Sequence, residues 1–167
     1  MSDQSGAAEE PRGQEPMSDI VRGDLAARGT ALSLALGFET LNDRPATMRA
    51  PFRADLVGDP ADGGLAGGVI TTLLDQTCGM AVSFAMRARH PSGETTARMG
   101  SMATLDFRID YIRPAKSGRA VTGEAECYSI AGGVAFVRGL AYEDDRADPI
   151  AAAQAAFMLT NVPLMGA

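Results

Sequence analysis

Cysteine and histidine are scarce in this sequence of 167 residues, which narrows the chemistry open to it. The two cysteines, Cys78 and Cys127, lie far apart in apolar surroundings, and the single histidine is His90. A disulfide or zinc framework needs more cysteines or closer ones, so we expect buried thiols and a reducing, cytoplasmic compartment. One imidazole is too few for a histidine-based metal centre, and a catalytic triad would depend on His90 alone. We therefore expect no metal site and no cofactor.

Positive charge is scarce as well. The chain has 15 Lys and Arg residues against 21 Asp and Glu residues, a formal net charge of −6. No basic run interleaves with aromatic residues, so a nucleic-acid partner is not expected. The N-terminus is acidic and polar, unlike a secretory signal, which begins basic and turns apolar.

A membrane-spanning run is also missing. The longest stretch of low charge, residues 63–86, contains five glycines, three threonines and Asp75. A transmembrane helix needs about 20 predominantly apolar residues, and this stretch is too polar and too rich in glycine. We interpret it as a buried helix of a soluble protein.

The length suits one domain with a single core. Residues 1–16 are small, polar and acidic, and cannot bury enough apolar surface to offset chain entropy. We predict a mobile tail over 1–16 and a single domain over 17–167, which starts with a short helix between Ser18 and about Ala35.

The hydrophobic period changes along the chain, and the change predicts the order of elements. Residues 46–53 alternate between apolar and polar positions, as a half-buried strand does, and residues 59–64 have the composition of a loop. Residues 69–89 are too long for an ordinary strand and predict a helix. His90 precedes a proline that ends this helix, and we expect its side chain to be solvated.

The residues after the helix predict antiparallel strands. From 103 to 111, apolar residues at odd positions share one face, and Thr104 with the other even positions shares the opposite face. Further strands are predicted over 119–130 and 134–142, with a hairpin at Gly132 and Gly133 between them. Residues 150–161 are rich in alanine, which favours a helix, but we predict a strand because the meander needs its next member there and because a family resemblance given below implies one. The order indicates an α+β fold with one helix packed on one sheet.

Asp75 is the carboxylate that the pattern places in this helix, and we expect it to be buried. A buried carboxylate is costly unless it is hydrogen-bonded, paired or catalytic. The alternative is that Asp75 faces water on a half-buried helix or caps an N–H group. Periodicity leaves both readings open.

Gly67 and Gly68 open the helix, where first-turn N–H groups have no helical partner and the helix dipole is positive. A carbonyl oxygen that gains negative charge would be stabilised there. The alternative is that both glycines only allow close packing. Asp75 lies about 12 Å along the helix from Gly67, so a shared site needs an extended substrate or a partner subunit.

Two segments resemble the PaaI-like acyl-CoA thioesterases. Residues 65–75 (LAGGVITTLLD) resemble the helix-opening motif of that family, and residues 103–115 (ATLDFRIDYIRPA) look like its strand-and-turn motif. Residues 51–58 and the glycine hairpin also fall where the family would place them. The resemblance covers about residues 32–161.

The resemblance implies a hotdog fold, in which a curved antiparallel sheet wraps one long helix. It implies a homodimer or homotetramer with active sites at the dimer interface and an acyl-CoA or similar thioester as substrate. The catalytic residues would be Asp75 as nucleophile or general base, Gly67, whose N–H polarises the thioester carbonyl, and Thr104, whose hydroxyl lies beside the aspartate.

Four further residues are assigned to substrate binding: Gly68, Ala66, Asp59 and Arg113. Ala66 stands where the family usually has histidine, and Asp59 stands where it often has asparagine. Arg113 could meet a CoA phosphate. These departures motivate an alternative, a non-catalytic acyl-CoA or acyl-carrier binding protein on the same scaffold. A third possibility is hydration or dehydration of an enoyl thioester, for which related enzymes use a histidine.

Overall fold

A computed structural model describes residues 36–37, 39–43, 45–89 and 102–159. The predicted tail, the predicted N-terminal helix and His90 lie outside these residues.

The described part of the chain forms one long helix packed on a six-stranded antiparallel sheet. The strands run in the order β1-β2-β4-β5-β6-β3. The elements are β1 (Glu39–Asp43), β2 (Ala46–Ala50), a 3₁₀ turn (Ala54–Leu56), α1 (Gly67–Arg89), β3 (Met102–Tyr111), β4 (Val121–Ala131), β5 (Val134–Tyr142) and β6 (Ala151–Leu159). This confirms the predicted α+β architecture.

Helix α1 begins at the glycine pair, two residues before the predicted start, and runs to Arg89. By length and composition it could cross a membrane, but 61% of its apolar window is buried inside the fold. Leu73 and Leu74 are fully buried against the sheet. The helix is therefore the core of this fold.

Strand β6 confirms that the alanine-rich segment forms a strand, although alanine favours a helix. Its alternate alanines, Ala151, Ala153 and Ala155, are buried and face the helix. Small side chains at these positions let the sheet approach α1 closely, so packing outweighs the weak local preference for a helix. The glycine hairpin between β4 and β5 is also confirmed, because Gly132 and Gly133 have φ values of 57° and 76°, as a tight turn between strands requires.

Two glycines bring the sheet close to the helix. A Cβ atom at Gly123 would lie 2.8 Å from Thr77 Oγ1 and 3.1 Å from Leu73 Cγ. A Cβ atom at Gly139 would lie 3.3 Å from Cys78 Sγ. Strands β4 and β5 therefore fix the depth at which α1 lies over the sheet.

A β-bulge in β3 changes which residues face the helix, and the simple alternation predicted for this strand is wrong before the bulge. The register pairs Thr104 with Phe157 and Phe107 with Ala155, and it shifts between Thr104 and Asp106. Both partners on β6 are buried on the helix side. The extra residue, Leu105, therefore moves Thr104 onto the same face as Phe107 and Tyr111.

Candidate active site

Asp75 lies on α1, two helical turns after the glycine pair, and accepts a hydrogen bond from Thr104 of β3. The Thr104 Oγ1 to Asp75 Oδ1 distance is 3.4 Å. Partial burial raises the pKa of Asp75 above its ordinary value, and the hydrogen bond from Thr104 lowers it part of the way back. A half-desolvated carboxylate beside a hydroxyl can act as a general base or as a nucleophile.

Asp75 is less buried than expected, and the fully buried carboxylate of the described residues belongs to Glu143. The Glu143 side chain is 1% exposed, whereas Asp75 is half-buried. Glu143 lies in the turn after β5, where it accepts hydrogen bonds from Arg113 Nη1 and from the backbone N–H of Lys116. These partners give Glu143 a structural role. Within the part of the chain that the structure describes, Asp75 has one side-chain partner, the Thr104 hydroxyl, so its carboxylate can also bind a ligand.

The start of α1 presents backbone N–H groups to an open surface. Gly67 and Gly68 are exposed, and a Cβ atom at Gly68 would meet nothing within 4 Å. The carbonyl of Ala66 accepts from the N–H groups of Val69 and Ile70. Among the described backbone bonds outside helices and strands, none uses the N–H of either glycine. These two N–H groups can therefore donate to a carbonyl oxygen that gains negative charge.

Tyr111 is not among the predicted site residues, yet it contacts the helix start directly. Its hydroxyl donates to the carbonyl of Gly67 over 2.6 Å and lies 2.6 Å from Thr71 Oγ1. The sequence indicates this position only through alternation, because the odd-numbered residues of β3 after the bulge, Tyr111 included, face the helix.

The structure brings together some of the candidate residues and separates others. Asp75 and Thr104 lie within hydrogen-bonding distance, and Ala66, Gly67 and Gly68 form a second group two helical turns earlier. Within one chain, the two groups lie at different points along the gap between α1 and β3.

Asp59 shapes the loop before the helix. Its Oδ1 atom accepts from the N–H of Ala61 at 2.9 Å, and its carbonyl accepts from the N–H of Gly63 at 2.8 Å. The loop is tied to the helix start by the bond from the Ala66 N–H to the Leu56 carbonyl, at 2.9 Å. Asp59 thus holds a turn whose far end leads into the glycine pair.

Arg113 is held by two carboxylates. Its Nη1 atom lies 3.0 Å from Glu143 Oε2, and its Nη2 atom lies 3.0 Å from Asp148 Oδ2. The hydrogen bond to Asp148, followed by that to Glu143, raises the pKa of Arg113. The guanidinium therefore ties the turn after β3 to the loop after β5, and its contact with a CoA phosphate stays a prediction.

Both cysteines are free thiols. Cys78 is fully buried, as expected, and burial together with the charge of Asp75 raises its pKa to about 12. Cys127 is half-buried. A thiol that ionises only near pH 12 is not a nucleophile at neutral pH.

The described residues contain no cluster of three or more His, Cys, Asp or Glu side chains that could hold a metal ion. A cleft of ≈ 870 Å³ lies towards the C-terminal end of α1, where Phe84 and Ala88 contribute to its lining. None of the seven candidate site residues lines it.

Comparison with known proteins identifies the family. A sequence profile of the thioesterase superfamily matches residues 62–150. The medium/long-chain acyl-CoA thioesterase YigI of Salmonella typhimurium is 29% identical over 142 residues, which cover 82% of this chain and 90% of the relative.

Solved structures agree. A Pseudomonas aeruginosa protein of known structure is 36% identical, with a TM-score of 0.70, over 86% of this chain and 98% of that chain. A mutant of the phenylacetic acid degradation protein PaaI from Thermus thermophilus shares the fold at 23% identity and a TM-score of 0.58, over 76% of this chain and 96% of that chain. These matches confirm the family resemblance and the predicted hotdog fold. The chain belongs to the thioesterase superfamily and is a thioester hydrolase.

Proposed function

We propose that this chain hydrolyses an acyl-CoA or a similar acyl-thioester, with Asp75 as the general base for water. The observation that carries the proposal is the Asp75–Thr104 pair, a half-buried carboxylate with a raised pKa beside a hydroxyl on the opposite element. The YigI relative is named for medium- and long-chain acyl-CoA, which supports an acyl chain of that size here.

In the proposed reaction, Asp75 takes a proton from a water molecule that Thr104 helps to position. The resulting hydroxide adds to the thioester carbonyl carbon, and the N–H groups of Gly67 and Gly68 stabilise the negative charge on the carbonyl oxygen. The tetrahedral intermediate then collapses, the carbon–sulfur bond breaks, and the leaving thiolate takes the proton from Asp75. The products are a carboxylic acid and a free thiol. Ala66 and Asp59 would contact the bound thioester without supplying the imidazole and amide that the family usually has there.

The site also needs a second subunit in this proposal, because Gly67 and Asp75 lie eight residues apart on the same helix. Strand β3 lies at the edge of the sheet, and Met102, Leu105 and Ile112 are large apolar side chains exposed on or next to it. Pairing of this edge with a second copy would cover these side chains and place the Asp75 of one subunit near the Gly67 of the other. We propose a homodimer, or a dimer of such dimers.

The remaining partners follow from charge and burial. A net charge of −6 and the lack of a basic run argue against a nucleic-acid partner. The burial of α1 in the fold supports a protein that does not span a membrane, and we propose a cytoplasmic location.

A panel of acyl-CoA substrates with free-thiol detection tests the hydrolysis. We expect turnover by the wild type and a loss of about 10²–10⁴-fold in kcat for Asp75→Asn, the usual contribution of a general base. Asp144→Asn is the matched control, because Asp144 is an exposed carboxylate paired with Arg119 away from β3, and its kcat should stay at the wild-type value. Calorimetric binding of acyl-CoA without release of thiol would replace hydrolysis by a binding function. Full turnover by Asp75→Asn would remove Asp75 from the reaction.

Complementation tests the shared site. Asp75→Asn and Gly67→Val should each be inactive, and refolding them together should restore about a quarter of the wild-type activity. Half of the dimers are then mixed, and each mixed dimer has one intact site if Asp75 and Gly67 come from different subunits. Activity that stays at the level of the separate variants would show that both residues of a site come from one chain.

A further inference from the structure

We propose that Tyr111 is a positioning residue that orients and polarises the peptide between Gly67 and Gly68, and that the N–H of Gly68 is the donor it strengthens. The inference rests on the proposed function, in which this helix start binds the thioester carbonyl oxygen.

Three oxygen atoms form a closed triangle at the first turn of α1. The carbonyl oxygen of Gly67 accepts from Tyr111 Oη at 2.6 Å and from Thr71 Oγ1 at 3.0 Å, and the two hydroxyl oxygens lie 2.6 Å apart. Two hydroxyl hydrogens can fill only two of these three contacts: Tyr111 donates to the Gly67 carbonyl, and Thr71 donates either to the same carbonyl or to Tyr111 Oη. The triangle fixes the direction of the Gly67 carbonyl.

The carbonyl of Gly67 and the N–H of Gly68 belong to the same peptide group. A hydrogen bond to the carbonyl draws electron density from the nitrogen, which makes the N–H a stronger donor. This N–H is in the first turn, where the helix offers it no carbonyl. Because a Cβ atom at Gly68 would meet nothing within 4 Å, a ligand oxygen has room to approach it.

The ring of Tyr111 also explains why residue 67 is glycine. A Cβ atom at Gly67 would lie 3.2 Å from Tyr111 Oη and 3.3 Å from Tyr111 Cζ, tighter than ordinary van der Waals contact. Any side chain at 67 would push the phenol away from the carbonyl. Gly67 and Tyr111 therefore form a matched pair across the gap between α1 and β3.

Strand β3 also positions the proposed general base, Asp75. Thr104 and Tyr111 both face α1 because of the bulge at Leu105, and each donates a hydrogen bond to it, Thr104 to Asp75 and Tyr111 to Gly67. Strand β3 therefore sets the place of both catalytic groups on its own helix. Tyr111 acts through the glycine peptide and not on the substrate, so it should affect the rate and not the affinity for substrate.

Tyr111→Phe tests this, since it keeps the ring against Gly67 and removes only the hydroxyl. Tyr128→Phe is the matched control, because the two tyrosines are exposed to a similar degree, 56% for Tyr128 and 51% for Tyr111. Tyr128 packs on Phe136, away from the helix start. Loss of a direct oxyanion donor costs roughly 10²–10³ in kcat, so loss of a group that only strengthens the donor should cost about tenfold. We expect that fall in kcat with KM within about twofold, and no change for Tyr128→Phe. A raised KM with unchanged kcat, or unchanged kinetics, would overturn the proposal.

An NMR measurement separates this proposal from the proposed reaction. In a ¹⁵N–¹H correlation spectrum, the Gly68 amide should move upfield in Tyr111→Phe, while the Gly132 amide in the distant hairpin should not move. The shift is expected whether or not the wild type hydrolyses any thioester, so a wild type without turnover refutes only the reaction. A Gly68 amide that does not move refutes the role of Tyr111.

Discussion

Arg113→Met should destabilise the fold strongly, because it leaves the Glu143 carboxylate buried without its charge partner. The Glu143 side chain is 1% exposed and that of Arg113 is 22% exposed, so the pair lies under the surface formed by the turns after β3 and β5. After the substitution, Glu143 keeps only the backbone N–H of Lys116. Methionine preserves most of the length of the arginine stem, so the change removes charge more than packing.

The expected cost is about 3 kcal/mol. Removal of one partner from a buried ion pair costs roughly 3–5 kcal/mol, and the partial exposure of Arg113 lets water approach Glu143, which favours the low end. For a chain of this size, this corresponds to a fall of roughly 6–12 °C in Tm. Arg119→Met is the control, because Arg119 pairs with Asp144 on the exposed surface, and its stability should change by less than about 0.5 kcal/mol.

Urea denaturation at equal protein concentrations measures both variants. Arg113→Met with Glu143→Gln should recover part of the loss, because glutamine removes the unpaired charge and still accepts from the Lys116 N–H. An Arg113→Met variant no less stable than Arg119→Met, or a double variant less stable than Arg113→Met alone, would refute the reasoning.

The same variants decide whether Arg113 also binds substrate. If it meets a CoA phosphate, Arg113→Met should raise KM for acyl-CoA and leave KM for the same acyl group on N-acetylcysteamine unchanged, because that thiol carries no phosphate. Equal KM ratios for the two substrates would show that the guanidinium, which Glu143 and Asp148 hold, meets no phosphate.

Three further perturbations test the site and the core. Activity should fall as the pH drops through the raised pKa of Asp75, because the base must be ionised. Thr104→Val should shift this acidic limb of the kcat/KM profile to higher pH, since it removes the hydrogen bond that lowers the pKa of Asp75. A thiol reagent at pH 8 should label the half-buried Cys127 and leave Cys78 unmodified until the protein is denatured, as peptide mapping would show. Gly123→Ala should lower the free energy of unfolding by about 1–3 kcal/mol, because its Cβ atom would overlap the helix, and chemical denaturation measures the loss.

Most of the fold could be predicted from the sequence because the period of apolar residues matches the elements that bury them. The helix and the glycine hairpin follow from length and turn chemistry. The alanine-rich strand β6 follows from the need to complete a sheet together with the family resemblance. Strand β1 (Glu39–Asp43) was not predicted, because ETLND lacks the alternation of apolar and polar residues that marks a strand, and Thr40 is its one β-branched residue.

The site was only partly predictable. Asp75 and Gly67 stand out as a charge and a flexible position in an apolar run, but the position of Thr104 depends on the bulge at Leu105, which alternation cannot indicate. The contact of Tyr111 with Gly67 joins residues 44 positions apart, and the Arg113–Glu143 pair joins residues 30 positions apart. Such pairs depend on the register of the sheet, which local propensity does not specify.

The partial burial of Asp75 means that the proposed catalytic carboxylate destabilises the fold. Burial disfavours the charged form, so the cost to stability is full above the raised pKa and vanishes below the ordinary value of 3.8. At neutral pH, Asp75→Asn should therefore melt at a higher temperature than the wild type while it loses activity. Selection of random variants for heat resistance alone would then enrich inactive proteins with a neutral residue at position 75.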